Sequence, residues 1–380
     1  MAVIGWLVFA ATRSPGFVGL AFTLRLAPLV LAGVPIGALS DRVGRVRLLQ
    51  GSNLVAAATS FGIVGLAISG PPSIAVLLAA SAALGFADSG RMVCGNNLVF
   101  ELAGELEPTR AIALSNFVAG IGQVVGGALS GVALSVAGPA PAAAIIGGGY
   151  LASALLLVGV RDPSGGRSVA TAPFAAAVRD GLAILRRVPT VGMLIAVALV
   201  VEMFAFSCVA LDPVFAGQLF LVGPIGLGLI VSTRACGRLT GSGALALIRP
   251  RQSVGRALAI AVLGFGVALA VYALAPNLVV ALPVVFVVGI ASAVLDVLVL
   301  TAVQAGVEAP SRGRAAGLWV LMIGLQPVGV LEVGLVAQLE GARFAQELNG
   351  AIVAVFGVLL LGTGFGRRIR AMGTVSPPVV

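Results

Sequence analysis

The chain has 380 residues, 59% of them hydrophobic and only 10% charged, and its net charge of +9 comes from arginine alone among the basic residues. A mean hydropathy of +1.13 leaves more apolar surface than one water-soluble core can bury, which excludes a soluble globular domain and indicates an all-α polytopic membrane protein. Histidine and lysine are both absent, so an imidazole relay, a Ser-His-Asp triad, a zinc site of the usual kind and a Gly-Lys-[Ser/Thr] phosphate loop are all excluded. No enzyme, cofactor, metal or ATP dependence is expected.

The first apolar run, "MAVIGWLVFAA", reaches only ~16 Å as a helix, about half of the ~30 Å hydrocarbon thickness, before Thr12 and Arg13. It starts with too few basic residues for a signal peptide. The expectation is a truncated first helix, with a start codon upstream favoured over a natural cut. About eleven full spans follow, each near the ~17 to 25 residues that a crossing needs. Helices 2 to 6 are expected at Gly16 to Ala38, Leu48 to Ser69, Ser73 to Val93, Ala111 to Ala137 and Ala140 to Val160. Helices 7 to 12 are expected at Val191 to Leu211, Gly223 to Leu247, Ala257 to Ala275, Leu278 to Leu300, Ala315 to Val336 and Leu348 to Gly364.

Between the two sets lies a polar linker. Within it Phe174, Val178, Leu182 and Leu185 share one helical face, which predicts an amphipathic helix on the inner membrane surface. The expected organisation is a helical bundle over 1–160, a cytoplasmic linker over 161–189, a second bundle over 190–366 and a cytoplasmic tail over 367–380.

The arginines are not spread evenly. Arg42, Arg45 and Arg47 follow helix 2, Arg110 follows helix 4, and five arginines fill the linker. Others follow helices 8, 10 and 12, whereas loops of opposite parity hold only Arg13 and Arg343. By the positive-inside rule the rich loops and the C-terminus face the cytoplasm. The positive charge is thus accounted for by topology, and no nucleic-acid partner is expected.

Internal repeats link each half to the other. Gln123, Gly126, Gly131 and Gly138 recur as Gln326, Gly329, Gly334 and Gly341 at an offset of 203. Pro15, Gly19, Leu20 and Arg25 recur as Pro224, Gly228, Leu229 and Arg234 at an offset of 209. Both offsets map helix n onto helix n+6 in the same direction, so the chain reads as two pseudo-symmetric six-helix bundles.

"GALSDRVGRVRLL", from Gly37 to Leu49, together with the paired halves and the basic linker, resembles the major facilitator superfamily. Gly37, Leu39, Asp41, Arg42, Gly44 and Arg45 match its loop signature G-x-L-x-D-R-x-G-R. The resemblance implies a gate in which Asp41 pairs with arginines when the cytoplasmic side is closed; its second-half counterpart, "GSGALALIRPRQSVGR", has no acid. In helix 5, "GQVVGG" is similar to the G-P-x-x-G-G element of the exporters of this superfamily, with Gln123 in place of proline. Gly122, Gly126 and Gly127 would let neighbouring helices approach closely. "RMVCG", from Arg91 to Gly95, is similar to an R-x-x-Q-G element of proton-coupled members. Arg25-x-x-Pro28 and "LDPVFA" resemble the bacterial drug and siderophore exporters.

Ionisable side chains inside a bilayer are costly, at least about 2.5 kcal/mol each, and persist where they are paired or wet. Glu202, with no charged neighbour within a helical turn, is the first candidate for proton coupling. Asp88 and Arg91 share a helix face at i and i+3, as a structural pair or a coupling element. Arg25 and Arg234 are candidate substrate contacts, two cations suited to an anion. Asn96, Gln123, Gln326, Glu332 and Asp296 complete the candidate substrate wall, and Asp212 is expected at the outer surface. Cys94, Cys208 and Cys236 read as small core residues.

These features predict a monomeric secondary transporter of a bacterial cytoplasmic membrane, exporting a small amphiphilic or hydrophobic compound against protons. Two other functions stay open: an anion importer or exchanger built on Arg25 and Arg234, and a non-transporting receptor or decayed paralogue.

Overall fold

In the computed structural model the described residues are 2–70, 72–102, 108–160, 189–247, 254–305 and 324–363. The linker helix, apart from Pro189, and the tail fall outside them, as do Arg249, Arg251, Arg312 and Arg314. Helices follow one another with no strand among the described residues. They are α1 (Ala2–Thr12), α2 (Pro15–Val43), α3 (Arg45–Ser69), α4 (Ile74–Leu102), α5 (Pro108–Val136) and α6 (Pro139–Leu156). The second set begins with α7, which starts at Pro189–Val200 and runs on through irregular turns to Leu219. It continues with α8 (Gly223–Leu247), α9 (Val254–Leu274), α10 (Leu278–Ala305), α11 (Gln326–Glu340) and α12 (Ala342–Gly362).

Nine of these helices are long and apolar enough to cross a membrane, counted over the described residues. Of the other three, α8 has the length, at 25 residues, but carries Arg234 and Arg238. The described part of α11 has 15 residues, and α1 has 11. Large apolar side chains cover the outside, among them Leu31, Ile68, Val136, Leu156, Val279 and Leu339, each more than 70% exposed. Hydrocarbon is the solvent that makes such a surface stable. Pro28 and Pro35 lie inside α2 and Pro283 inside α10, positions that a helix in lipid tolerates when neighbours re-satisfy the freed carbonyls.

The described helices from Ala2 to Leu156, with Pro213–Leu229, form one compact unit; Pro189 to Asp212 and the helices from Ile230 onward form the other. In the first, α4 packs against α2 and α3, and α3 against α6. In the second, α9 packs against α12 and α10, and α11 lies against α12 and the middle of α7.

Several joints turn on one glycine. Gly44 separates α2 from α3 at φ 94° and Gly341 separates α11 from α12 at φ 95°, while Gly138, at φ 84°, follows the turn residue Ala137 between α5 and α6. A left-handed φ reverses the chain at the cost of one residue, and only glycine takes it without strain. Gly138 and Gly341 are one of the pairs read at the offset of 203, so the repeat is carried into equivalent corners. The stretch expected as a loop after helix 2 is almost wholly helical: Gly37, Asp41 and Arg42 belong to α2, Gly44 is the corner, and Arg45 opens α3.

α7 departs furthest from its expected form. After Val200 it widens into a π turn over Val201–Ala205, tightens into a 3-10 stretch over Phe206–Leu211, and widens again over Phe215–Leu219. Its apolar run extends from Gly192 to Leu219, past the expected end at Leu211. Pro213 has no N–H to give, and the chain ahead of it has already changed to shorter-range bonding: Asp212 N–H donates to the Val209 carbonyl. The helix therefore passes through a sequence that reads as a terminus.

Candidate functional site

Within the first unit the charges of two helices converge beside an aromatic ring of a third. Arg25 of α2 is only 8% exposed, and its Nε donates to Asp88 Oδ2 of α4 at 2.9 Å. Its Nη2 reaches the same oxygen at 2.8 Å. Arg91, one turn along α4, reaches the other oxygen at 2.7 Å and lies 4.7 Å above the Tyr150 ring of α6. One carboxylate thus bridges two guanidinium groups, and a ring face shields the second cation.

The second unit repeats the plan with different partners. A β-carbon on Gly85 of α4 would strike the Arg25 carbonyl, and one on Gly289 of α10 would strike the Arg234 carbonyl. The two arginines therefore occupy equivalent crossings. Arg234, however, turns to α7: its Nη2 donates to Asp212 Oδ1 at 2.7 Å, and its Nη1 to Oδ2. The α10 acid goes instead to Arg238, one turn further along α8. Arg238 donates to Asp296 Oδ2 at 2.8 Å and to Ser292 Oγ at 3.2 Å.

Glu202 sits in the first π turn of α7, 9% exposed. It has no hydrogen bond or ion pair to another described side chain. Sequence neighbours leave it isolated, but the fold does not, because the Arg238–Asp296 pair lies close enough to act on it through its field. π turns widen a helix and leave a side chain and backbone out of regular register, a common device at functional positions.

On α11, Glu332 accepts a hydrogen bond from Asn349 Nδ2 of α12 at 3.2 Å. Gln346, one turn before Asn349, is fully buried, and neither atom of its amide has a partner among the described residues.

Several expectations change. Arg25 and Arg234 are not free cations: each is held by an aspartate, so neither offers an unpaired charge to an anion in this structure. Asp212 is not at a surface but 2% exposed, because α7 continues beyond it. Asp296 is committed to Arg238 and Glu332 to Asn349. Gln123 is exposed and Gln326 half-buried, and neither joins these clusters. Gly122 and Gly126 have open space where a side chain would stand; the close crossing falls at Gly131, whose missing β-carbon would lie 2.8 Å from the Pro224 carbonyl oxygen and 2.9 Å from Gly228 Cα. Gly127 takes part through its carbonyl, 2.8 Å from where a Gly228 β-carbon would be. The side chains of Asp41 and Asn96 fall outside the described residues, while Arg42 is exposed and Arg45 half-buried.

Arg238, Gln346 and Asn349 were not singled out in the sequence. A second arginine at i+4 from Arg234 and two amides three residues apart in the polar start of α12 were the available signals.

Helices of membrane-spanning length, internally repeated halves and paired charges inside the spans define a polytopic membrane protein. Residues 1–328 match the Major Facilitator Superfamily, and the chain belongs to that family: it is a multi-pass membrane transporter, not an enzyme. It is 27% identical to the multidrug efflux pump Tap of Mycolicibacterium fortuitum over 98% of this chain and 92% of Tap. Its fold is similar to a crystal structure of a mutant of the nucleoside transporter NupG, with a TM-score of 0.72 at 14% identity over 98% of this chain and 94% of that one. A bacterial homologue of the human lysosomal transporter Spinster, in an inward-facing and occupied conformation, gives a TM-score of 0.72 at 17% identity over 99% and 96%.

Proposed function

We propose that the chain is a proton-coupled exporter of a small amphiphilic or hydrophobic compound, working as a monomer in a bacterial cytoplasmic membrane with its C-terminus inside. One observation carries the coupling. Asp88, Asp212 and Asp296 each have an arginine partner and Glu332 has an amide, whereas Glu202 is buried without an ion pair among the described residues. A proton can therefore neutralise Glu202 without abandoning a cation, which costs less than protonating any of the paired acids. Alternating exposure of that carboxylate to the two sides converts a proton gradient into directed movement.

Export is supported by the likeness to Tap and by the glycine element of α5. The paired state of Arg25 and Arg234 weighs against the anion reading.

The test uses inside-out vesicles, a pH-gradient dye and a panel of lipophilic drugs, siderophore-like compounds and organic anions. At least one lipophilic compound should dissipate the gradient with the wild-type chain, and Glu202→Gln should abolish the effect. A compound that dissipates it equally in the variant removes Glu202 as the coupling group. A response confined to organic anions, lost in Arg25→Ala, replaces export of amphiphiles by anion exchange.

A further inference from the structure

A cavity of about 250 Å³ lies in the first compact unit, where the end of α1 meets the corner between α7 and α8. It is lined by Trp6, Phe9, Arg13, Gly217, Leu221 and Gly223 among others, with no acid in the lining. Arg13 and Leu221 are also the two non-glycine residues with left-handed backbone among those described, at φ 51° and 55°. Two unrelated corners of the chain thus adopt a disfavoured conformation at the same cavity, where such outliers point to a retained geometry rather than to accident.

The side chains agree on a chemistry. Arg13 places its guanidinium 5.8 Å above the Phe9 ring, and Trp6 lies 6.2 Å from that ring. Gly217 leaves the room that the Phe9 ring occupies, since its missing β-carbon would fall 2.9 Å from Phe9 Cδ1 and 3.1 Å from Trp6 Cζ3. Arg13 is exposed and has no ion-pair partner among the described residues. A fork of N–H donors above an aromatic floor suits a carboxylate or phosphate carried on an apolar body. Arg13 precedes the first residue of α2, and Arg42 stands in its last turn, so this cation lies at the opposite end of that helix from the basic gate loop.

We propose that this cavity is a binding site for the anionic head of an amphiphile, with Arg13 taking the charge and Trp6, Phe9 and Leu221 the adjoining apolar body. The ligand comes from solution or is an anionic phospholipid of the surrounding bilayer, and the two sources share this chemistry. The site is separate from Glu202 and does not depend on proton coupling.

The chain has two tryptophans, so Trp319→Phe leaves Trp6 as the reporter in nanodiscs of phosphatidylcholine. Bromodecanoate should quench Trp6 saturably, at a concentration at least tenfold below that required by bromodecanol. Arg13→Gln should remove this preference and Arg13→Lys should keep part of it. Nanodiscs containing brominated phosphatidylglycerol test the lipid source: Arg13-dependent quenching there assigns the site to lipid, and quenching by the soluble carboxylate alone assigns it to a free amphiphile. Equal quenching by the alcohol and the carboxylate overturns the proposal, as does a preference that survives in Arg13→Gln. The comparison of alcohol with carboxylate in the Trp319→Phe background, with Arg13 intact, decides the matter even if an Arg13 variant does not fold.

Discussion

Asp212 and Arg234 meet through two parallel hydrogen bonds with side-chain exposures of 3% and 12%. Removing one partner strands the other charge in an apolar medium, at a cost of about 3–5 kcal/mol, whereas removing both together is close to neutral. Asp212→Ala is therefore expected to lose most of its folded protein at a temperature the wild type survives, and Asp212→Leu with Arg234→Met to recover at least half of the loss. Fluorescence-detected gel filtration after heating checks this. A single variant as stable as the wild type would mean that the pair holds nothing together. Sequence alone identified Arg234 through its match to Arg25 but set Asp212 aside, because helix 7 was expected to end at Leu211 and leave Asp212 at the outer surface. The continuation of α7 through π and 3-10 turns depends on what packs beside it, and no local pattern encodes that. Glu202 stood out for the opposite reason: an acid alone in an apolar run is conspicuous whatever turns the helix around it takes.

Between elements, glycine decides how near two helices come. Gly131 and Gly228 bring α5 and the start of α8 to backbone contact, and a methyl group on either would have to displace a carbonyl oxygen or a Cα. Gly131→Ala should thus separate the helices and lower the thermal midpoint by several degrees. Gly126→Ala has nothing within 4 Å of the new carbon and should be neutral or slightly stabilising, since alanine is the better helix former by up to about 1 kcal/mol. Thermal scans of the purified variants in detergent separate the two outcomes, and an equal loss in both would place the crossing elsewhere. The sequence marked α5 as the glycine-rich packing helix but placed the contact about a turn too early. With 52 glycines in the chain, composition reveals that close approaches exist, and only the rotation of each helix about its axis selects the glycines that make them.

At the scale of the whole molecule, the helix order, the paired halves and the charge asymmetry were legible because lipid imposes them. Backbone groups must be satisfied within each span, and arginine resists translocation. The i,i+3 pairing of Asp88 with Arg91 was legible, but the partners of Arg25 and Arg234 were not, because the second half uses the same crossing as the first while exchanging an α10 acid for an α7 one. The topology makes a prediction of its own. If the loops after even-numbered helices are cytoplasmic, a cysteine at Val43, beside the Gly44 corner, is on the inside, and one at Asn277, between α9 and α10, is on the outside. Replacing Cys94, Cys208 and Cys236 by serine or alanine gives the background. In intact cells a membrane-impermeant maleimide should label Asn277→Cys and leave Val43→Cys untouched until the membrane is permeabilised. Because each span reverses the side of the next corner, the two positions must report opposite sides together. Labelling of Val43→Cys alone in intact cells would invert the whole chain and place the arginine-rich gate loop outside, and with it would go the export direction proposed for Glu202.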